Sequence, residues 1–204
     1  MDFDFNGNGF SSLTDDEKKR LADAFEIINR KQLPLAIVDT SSKKKPFRDL
    51  VKQYSGYNVL PLNGDSKKIA DNFKDLIAAN FDNIVAIGKT YRGRINEFGN
   101  FIENYIRNDI EKNSIDIEMP TKSSGKTSPH GYPDYTINSN QGAIYGECKV
   151  YQEGSEESDF RSFYWKPDGD SKVTRDSSHI LIAFSYLELT PMEYTITGFR
   201  LHDL

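Results

Sequence analysis

The stretch Pro133-Asp-Tyr-Thr-Ile-Asn-Ser-Asn-Gln-Gly-Ala-Ile-Tyr-Gly-Glu-Cys-Lys-Val-Tyr151 decides how the rest of the chain is read. Tyr135, Thr136 and Ile137 are a short β-prone run, residues 138–142 carry turn chemistry, and residues 143–151 form a second strand-like run. The segment therefore predicts a β-hairpin. Side chains alternate along a strand, which puts Glu147 and Lys149 on one face and Ile144, Cys148 and Val150 on the other. The second face is apolar enough to pack on a core. If the hairpin closes at 138–142, Asp134 at the far end of its first strand comes near Glu147 and Lys149. Two carboxylates and an ammonium group then converge on one spot of a core strand, a placement that needs a chemical reason.

The chemistry such a cluster suits is metal-assisted attack on a phosphodiester. Two carboxylates can hold a hard divalent cation such as Mg²⁺ and leave coordination positions for water and a phosphate oxygen. The ion polarises the phosphoryl group and brings a hydroxide-like nucleophile within reach near neutral pH. The lysine would orient or deprotonate that water and offset the charge gathering on the phosphorus oxygens. The pattern Pro133-Asp134 … Glu147-Cys148-Lys149, with a thirteen-residue step from Asp134 to Glu147, resembles the signature of the PD-(D/E)xK nuclease superfamily. Most type II restriction endonucleases belong to that superfamily. The resemblance covers roughly residues 94 to 190 and implies an α/β fold with a restriction-endonuclease-like core, a mixed central sheet flanked by helices. It also implies Asp134 and Glu147 as metal ligands, Lys149 as the catalytic lysine, and Mg²⁺ as cofactor with Mn²⁺ able to substitute.

Upstream, Ile95, Phe98, Ile102, Tyr105, Ile106 and Ile110 form an apolar stripe on a predicted helix over residues 94–112. In the superfamily, a helix preceding the first core strand often adds an acidic residue to the active site. Glu97 and Glu103 are the candidates. Glu103 is favoured because it borders the stripe and follows Gly99 by one turn, a small residue that would permit close approach to the sheet. Residues 115–119 alternate as a first core strand should, and residues 179–187 and 193–201 read as strands that complete the sheet. The helix that the superfamily usually places after its E-x-K strand has only a weak signal here.

At 204 residues, the chain is long enough for one domain with a proper core. The resemblance divides it into a nuclease core over residues 94–204 and an N-terminal extension over residues 1–93, helical or small α/β, packed on that core as one compact unit. In the extension, a capping box at 14–17 opens a helix to about residue 30, and residues 35–39 are strand-like. A helix follows over 46–54, a strand over 58–62, a turn at 63–65 and an amphipathic helix over 66–80, with 84–87 as a buried strand or turn. Asp2, Asp4, Asn6 and Gly7 imitate the start of a calcium loop, but Leu13 stands where the bidentate glutamate is required.

The longest apolar run, residues 180–189, is too short to span a bilayer, and the acidic N-terminus lacks a signal-peptide pattern. A single cysteine, Cys148, excludes a disulfide framework and any multi-cysteine zinc site. The expected compartment is the cytoplasm, with no membrane partner. A net charge of −5 argues mildly against DNA binding, but an acidic metal site contributes to that total and local clustering of lysine and arginine matters more. Gly125-Lys126-Thr127 invites comparison with a P-loop, yet Pro120 occupies the position of its first glycine, so no nucleotide cofactor is expected. Residues 121–128 read instead as a mobile basic loop in which Lys122 and Lys126 meet phosphates. Residues 161–166 set aromatics between Arg161 and Lys166, a mix that either tracks nucleic acid or simply packs. A second Pro-Asp pair, Pro167-Asp168, with Lys172 four residues beyond it, reads as a turn.

The implied function is that of a type II restriction endonuclease, Mg²⁺-dependent hydrolysis of double-stranded DNA at a short specific site. A chain of this size is expected to act as a homodimer, because two-fold symmetry matches a palindromic site and supplies two active centres. Two alternatives share the fold: a structure-selective repair or junction-resolving nuclease, and a catalytically silent DNA-binding module.

Overall fold

The predicted hairpin sits inside a mixed sheet with helices on both sides. The computed structural model describes residues 46–110, 115–155 and 170–204. They belong to a compact unit that begins at Lys45. The expected helix at 14–30, the strand at 35–39, the lysines at 43–45 and the segment 161–166 lie outside the described residues. In chain order the elements are α1 (Phe47–Ser55), β1 (Val59–Leu60), α2 (Gly64–Ala79), α3 (Phe81–Gly88) and α4 (Ile95–Asn108). Then come β2 (Asp116–Glu118), β3 (Tyr135–Ser139), β4 (Gly142–Gln152), β5 (Ser177–Thr190) and β6 (Glu193–Asp203).

The sheet runs β1-β5-β4-β3-β2, with β6 also paired to β5. β2, β3 and β4 form an antiparallel meander, while β4 and β5 are parallel, so the sheet is mixed. β1 pairs in parallel with Ser177 and Ser178 at the start of β5, and β6 runs antiparallel to β5 from Ile180 onward. The hairpin turn is tighter than the sequence suggests: β3 and β4 pair to Ser139↔Gly142, leaving Asn140 and Gln141 at the tip. Gly142 has φ 131°, a conformation that L side chains rarely adopt.

One face of the sheet carries the main core. Register puts Gly146, Cys148 and Val150 of β4 beside Ile180, Ile182 and Phe184 of β5. Against them pack Phe73 and Ile77 of α2 and Phe98, Ile102 and Ile106 of α4. These helix residues recur at four-residue spacing, which turns a single stripe toward the sheet. The opposite face is partly covered as well. Tyr145 joins Val51, Val59, Tyr132 and Val173 in a second, smaller core, with Phe47 and Leu204 against it.

Two local expectations are corrected. Residues 84–87 are neither strand nor turn but the middle of α3. Ile84 and Gly88 are buried one turn apart, and Phe81 and Val85 pack against the main core beside them, a helical spacing that the four-residue apolar run conceals. The turn at 63–65 is the start of α2: Asn63 is its N-cap and forms a reciprocal capping box with Ser66. Gly99 has a different role from the one its size suggests. A Cβ there would meet only Val150 Cγ2, at 3.5 Å, so the approach of α4 to the sheet does not depend on glycine.

Candidate active site

β4 runs further than its partner. The β3–β4 ladder ends at Tyr135↔Gly146, so the segment of β4 from Glu147 onward has an edge that β3 does not cover. Asp134 occupies the head of that gap. Its N–H donates to the Gly146 carbonyl (3.0 Å) and its Oδ2 accepts from the Cys148 N–H (2.9 Å). The carboxylate thus takes the place of the next strand residue and is fixed to β4 at both ends of its own residue. A cleft of about 520 Å³ opens between this edge and α4 and adjoins a second of about 390 Å³. Both are lined by Asn100, Glu103, Asp134 and Lys149, and Glu147 faces the second.

Glu147 is 2% exposed. Its Oε1 accepts a hydrogen bond from the Lys149 ammonium, while its Oε2 is buried and has no hydrogen-bond partner among the described residues. Burial pushes the Glu147 carboxyl up to about 8, the charge of Asp134 adds to the shift, and Lys149 opposes it. Burial would lower the Lys149 pKa, but Glu147 and Asp134 together outweigh it and raise the value, so Lys149 is an ammonium at neutral pH. A buried carboxylate oxygen with nothing to bond to is an energetic liability unless a proton or a cation reaches it.

Glu103 reaches the cleft from α4. It is buried, and Arg107 one turn later donates to it at 2.5 Å and also to Asn104. Burial raises the Glu103 pKa, Asp134 adds to that, and Arg107 pulls against both. The Tyr135 hydroxyl donates to the Glu103 carbonyl (3.4 Å), which ties the helix to the hairpin. Glu97, the other candidate on this helix, is exposed and lines neither cavity.

The residues present suit a divalent ion of the Mg²⁺ type. Among the described residues no group of three or more Asp, Glu, His or Cys side chains forms a ready cage. Mg²⁺ does not require one, since it keeps several waters and is held by one or two carboxylates together with substrate phosphates. Asp134 and the unpartnered Glu147 Oε2 supply that pair beside an open cleft.

The basic loop is not free. Thr121 and Thr127 pair across it, and Asp170 accepts from Ser123 Oγ, Ser124 N and Ser124 Oγ (3.0, 3.0 and 2.9 Å). Lys122 forms an ion pair with Asp170 (3.5 Å), whereas Lys126 is exposed. The expectation of a mobile loop thus gives way to a small hairpin fastened to residues 170–171; its tether lies far along the chain and has no local signature. Arg161 and Lys166 lie outside the described residues.

Two buried residues near the site escaped the sequence reading. Lys172, which the sequence places just beyond a turn, is 3% exposed, and its ammonium donates to the carbonyls of Gly131 (2.7 Å) and Pro133 (3.0 Å). His179 is fully buried on β5, sharing a 2.5 Å hydrogen bond between its Nδ1 and the Tyr132 hydroxyl. Its ring stacks on Tyr132 at 5.8 Å, and its Nε2 has no partner among the described residues. A lone histidine opening an apolar run carries no sequence signal beyond burial.

Burial pulls the His179 pKa down from 6.5 to about 3. The unfolded chain therefore takes up a proton below pH 6.5 that the folded chain refuses, and stability falls as pH drops through that range. The histidine is expected to cost about 2 kcal/mol at pH 5 relative to pH 7.5. Glu147 has the opposite slope, because its folded-state pKa is raised. Urea melts of the wild type and of His179→Phe at both pH values isolate the histidine: the wild type should lose about 2 kcal/mol more than the variant. Parallel pH profiles would show that the ring is not buried neutral.

Comparisons with known proteins give the chain a family. The model of the Type II restriction enzyme MjaV family matches residues 38–204. A curated relative, the Type II restriction enzyme MjaV of Methanocaldococcus jannaschii, is 30% identical over 181 residues, covering 79% of this chain and 77% of its own. No solved structure matches the chain.

Proposed function

Because the chain belongs to the Type II restriction enzyme MjaV family, we propose that it hydrolyses phosphodiester bonds of double-stranded DNA at a short specific site, using a PD-(D/E)xK centre built from Asp134, Glu147 and Lys149. The observation that carries this reading is the meeting of those three side chains at the uncovered edge of β4, with Glu147 Oε2 buried and unpartnered. Asp134 and Glu147 would hold Mg²⁺, or Mn²⁺ in its place, which when bound polarises a phosphoryl oxygen and makes a nucleophilic water accessible near neutral pH.

The chain's own groups divide the remaining work. Lys149 is fixed against Glu147 and lines the cleft, where it orients the attacking water and offsets charge developing on the phosphoryl oxygens. Glu103 adds a third carboxylate at the mouth of the site, and Arg107 sets its position and charge. Lys126 would meet backbone phosphates beside Lys122, which Asp170 holds in place, and Arg161 and Lys166 would be further contacts to DNA. Two copies related by a two-fold axis would present two such centres to a palindromic site.

The direct test is plasmid digestion with Mg²⁺ and with EDTA, with end mapping of the products and light scattering to weigh the particle. Discrete fragments with Mg²⁺ alone are expected. A smear, or nicking confined to branched substrates, would move the reading to a repair or junction-resolving nuclease. No cleavage under any divalent ion would leave a binding module.

A further inference from the structure

Lys172 is a lysine in a place where burial alone argues against one. It is 3% exposed, and removal of an ammonium from water is costly unless the charge is matched. An apolar side chain of similar volume would fill the same space but would leave the groups that the ammonium bonds without a donor. What the ammonium bonds therefore explains the charged end. Two features locate the reason.

The first is what the ammonium holds. Its bonds to the Gly131 and Pro133 carbonyls span the turn that ends directly at Asp134. Pro133 has no N–H to anchor that turn, and the Asp134 N–H is already given to Gly146. Without Lys172, both carbonyls would face a buried region with the donor gone. The second feature is what holds Lys172. Val173 beside it is fully buried in the smaller core, and the Ser171 carbonyl accepts from the Ser123 N–H (2.9 Å). The lysine therefore reaches across from a fixed segment to the turn that carries the carboxylate. It lines neither of the two cavities that contain Asp134, and the cavity it does line, of about 20 Å³, is too small to admit a substrate.

We propose that Lys172 is a positioning residue: by bridging the Gly131 and Pro133 carbonyls it sets the place of the Asp134 carboxylate as a divalent-cation ligand. The inference rests on the nuclease reading of Asp134. It assigns the residue a different sign of effect from that of a merely neighbouring charge. A nearby cation repels a bound metal ion, so neutralising Lys172 would strengthen metal binding if charge were its whole influence. A residue that positions the ligand predicts the reverse, because partners behind a metal ligand commonly govern affinity by 10- to 100-fold.

The test is calorimetric titration of the full chain with Mn²⁺ in the absence of DNA, for the wild type, Lys172→Met and Lys172→Arg. A thermal melt of each gives its folded state at the titration temperature. Lys172→Met should bind Mn²⁺ at least ~10-fold more weakly, and Lys172→Arg, which keeps donors for both carbonyls, should fall within a few-fold of the wild type. Should the methionine variant melt below the titration temperature, Lys172→Gln replaces it under the same criterion, because its shorter amide cannot bridge both carbonyls. Equal or tighter Mn²⁺ binding by the folded neutral variant overturns the proposal and leaves the nuclease reading intact. Absence of Mn²⁺ binding by the wild type itself removes the metal site, and the positioning role with it.

Discussion

Lys149→Ala is expected to lower Mg²⁺-dependent DNA cleavage by ~10²- to 10³-fold or more, the range found when a charge-stabilising donor or a positioned proton-transfer group is removed from an active site. The side chain is 32% exposed and stands at the edge of the cleft, so its removal costs little packing and the fold should survive. The loss has two physical sources. The ammonium that would face the reacting phosphate disappears, and Glu147 Oε1 loses its donor, leaving both oxygens of a buried carboxylate without partners. Initial rates on supercoiled plasmid at saturating Mg²⁺, with a thermal melt beside them, check the expectation. Cleavage by a folded Lys149→Ala at the wild-type rate would sink the assignment of this lysine, and with it the reading of the Glu147-Cys148-Lys149 strand as catalytic.

The largest effect on stability is expected from Phe98→Ala, at about 3–5 kcal/mol. The ring is fully buried on α4 and lies within 5.1 Å of Tyr194, 5.3 Å of Tyr91 and 5.8 Å of Tyr186, centroid to centroid. Truncation removes the transfer free energy of the ring and leaves a cavity walled by aromatics that cannot collapse into it. The same ring seats the helix that carries Glu103 and Arg107, so the cleft wall should loosen as stability falls. Urea denaturation gives the number directly. A loss below about 1 kcal/mol would mean that the α4 stripe does not pack against β5 and β6 as described.

How much of this was legible before folding differs between elements. The apolar stripe from Phe98 to Ile106 identified α4, because a helix that buries one face must repeat at three to four residues. The hairpin was legible from turn residues and alternation, and with it the approach of Asp134 to Glu147, since a tight turn fixes which residues face each other. α3 was not legible as a helix. Its four apolar residues in a row fit a buried strand equally well, and only the pattern of burial separates the two. The choice between Glu97 and Glu103 needed the direction in which α4 faces the cleft, which the stripe alone left open to either side.

The chain by itself determined the parts of the site that lie within one hairpin: the Asp134 to Glu147 step, the Glu147 and Lys149 pairing on one face, and the apolar face beneath them. These are consequences of a two-residue side-chain period and a short turn, both local. Tertiary structure alone decided that β4 outruns β3 and leaves an edge uncovered, and that a second core covers Tyr145 on the face that carries Glu147. It also brought Lys172 to the Gly131 and Pro133 carbonyls and His179 to Tyr132. Those contacts join segments about forty residues apart. Nothing in a lone lysine after a turn, or in a histidine at the head of a strand, specifies a distant partner. Burial creates the demand for a hydrogen-bond partner, and only the fold determines which group meets it.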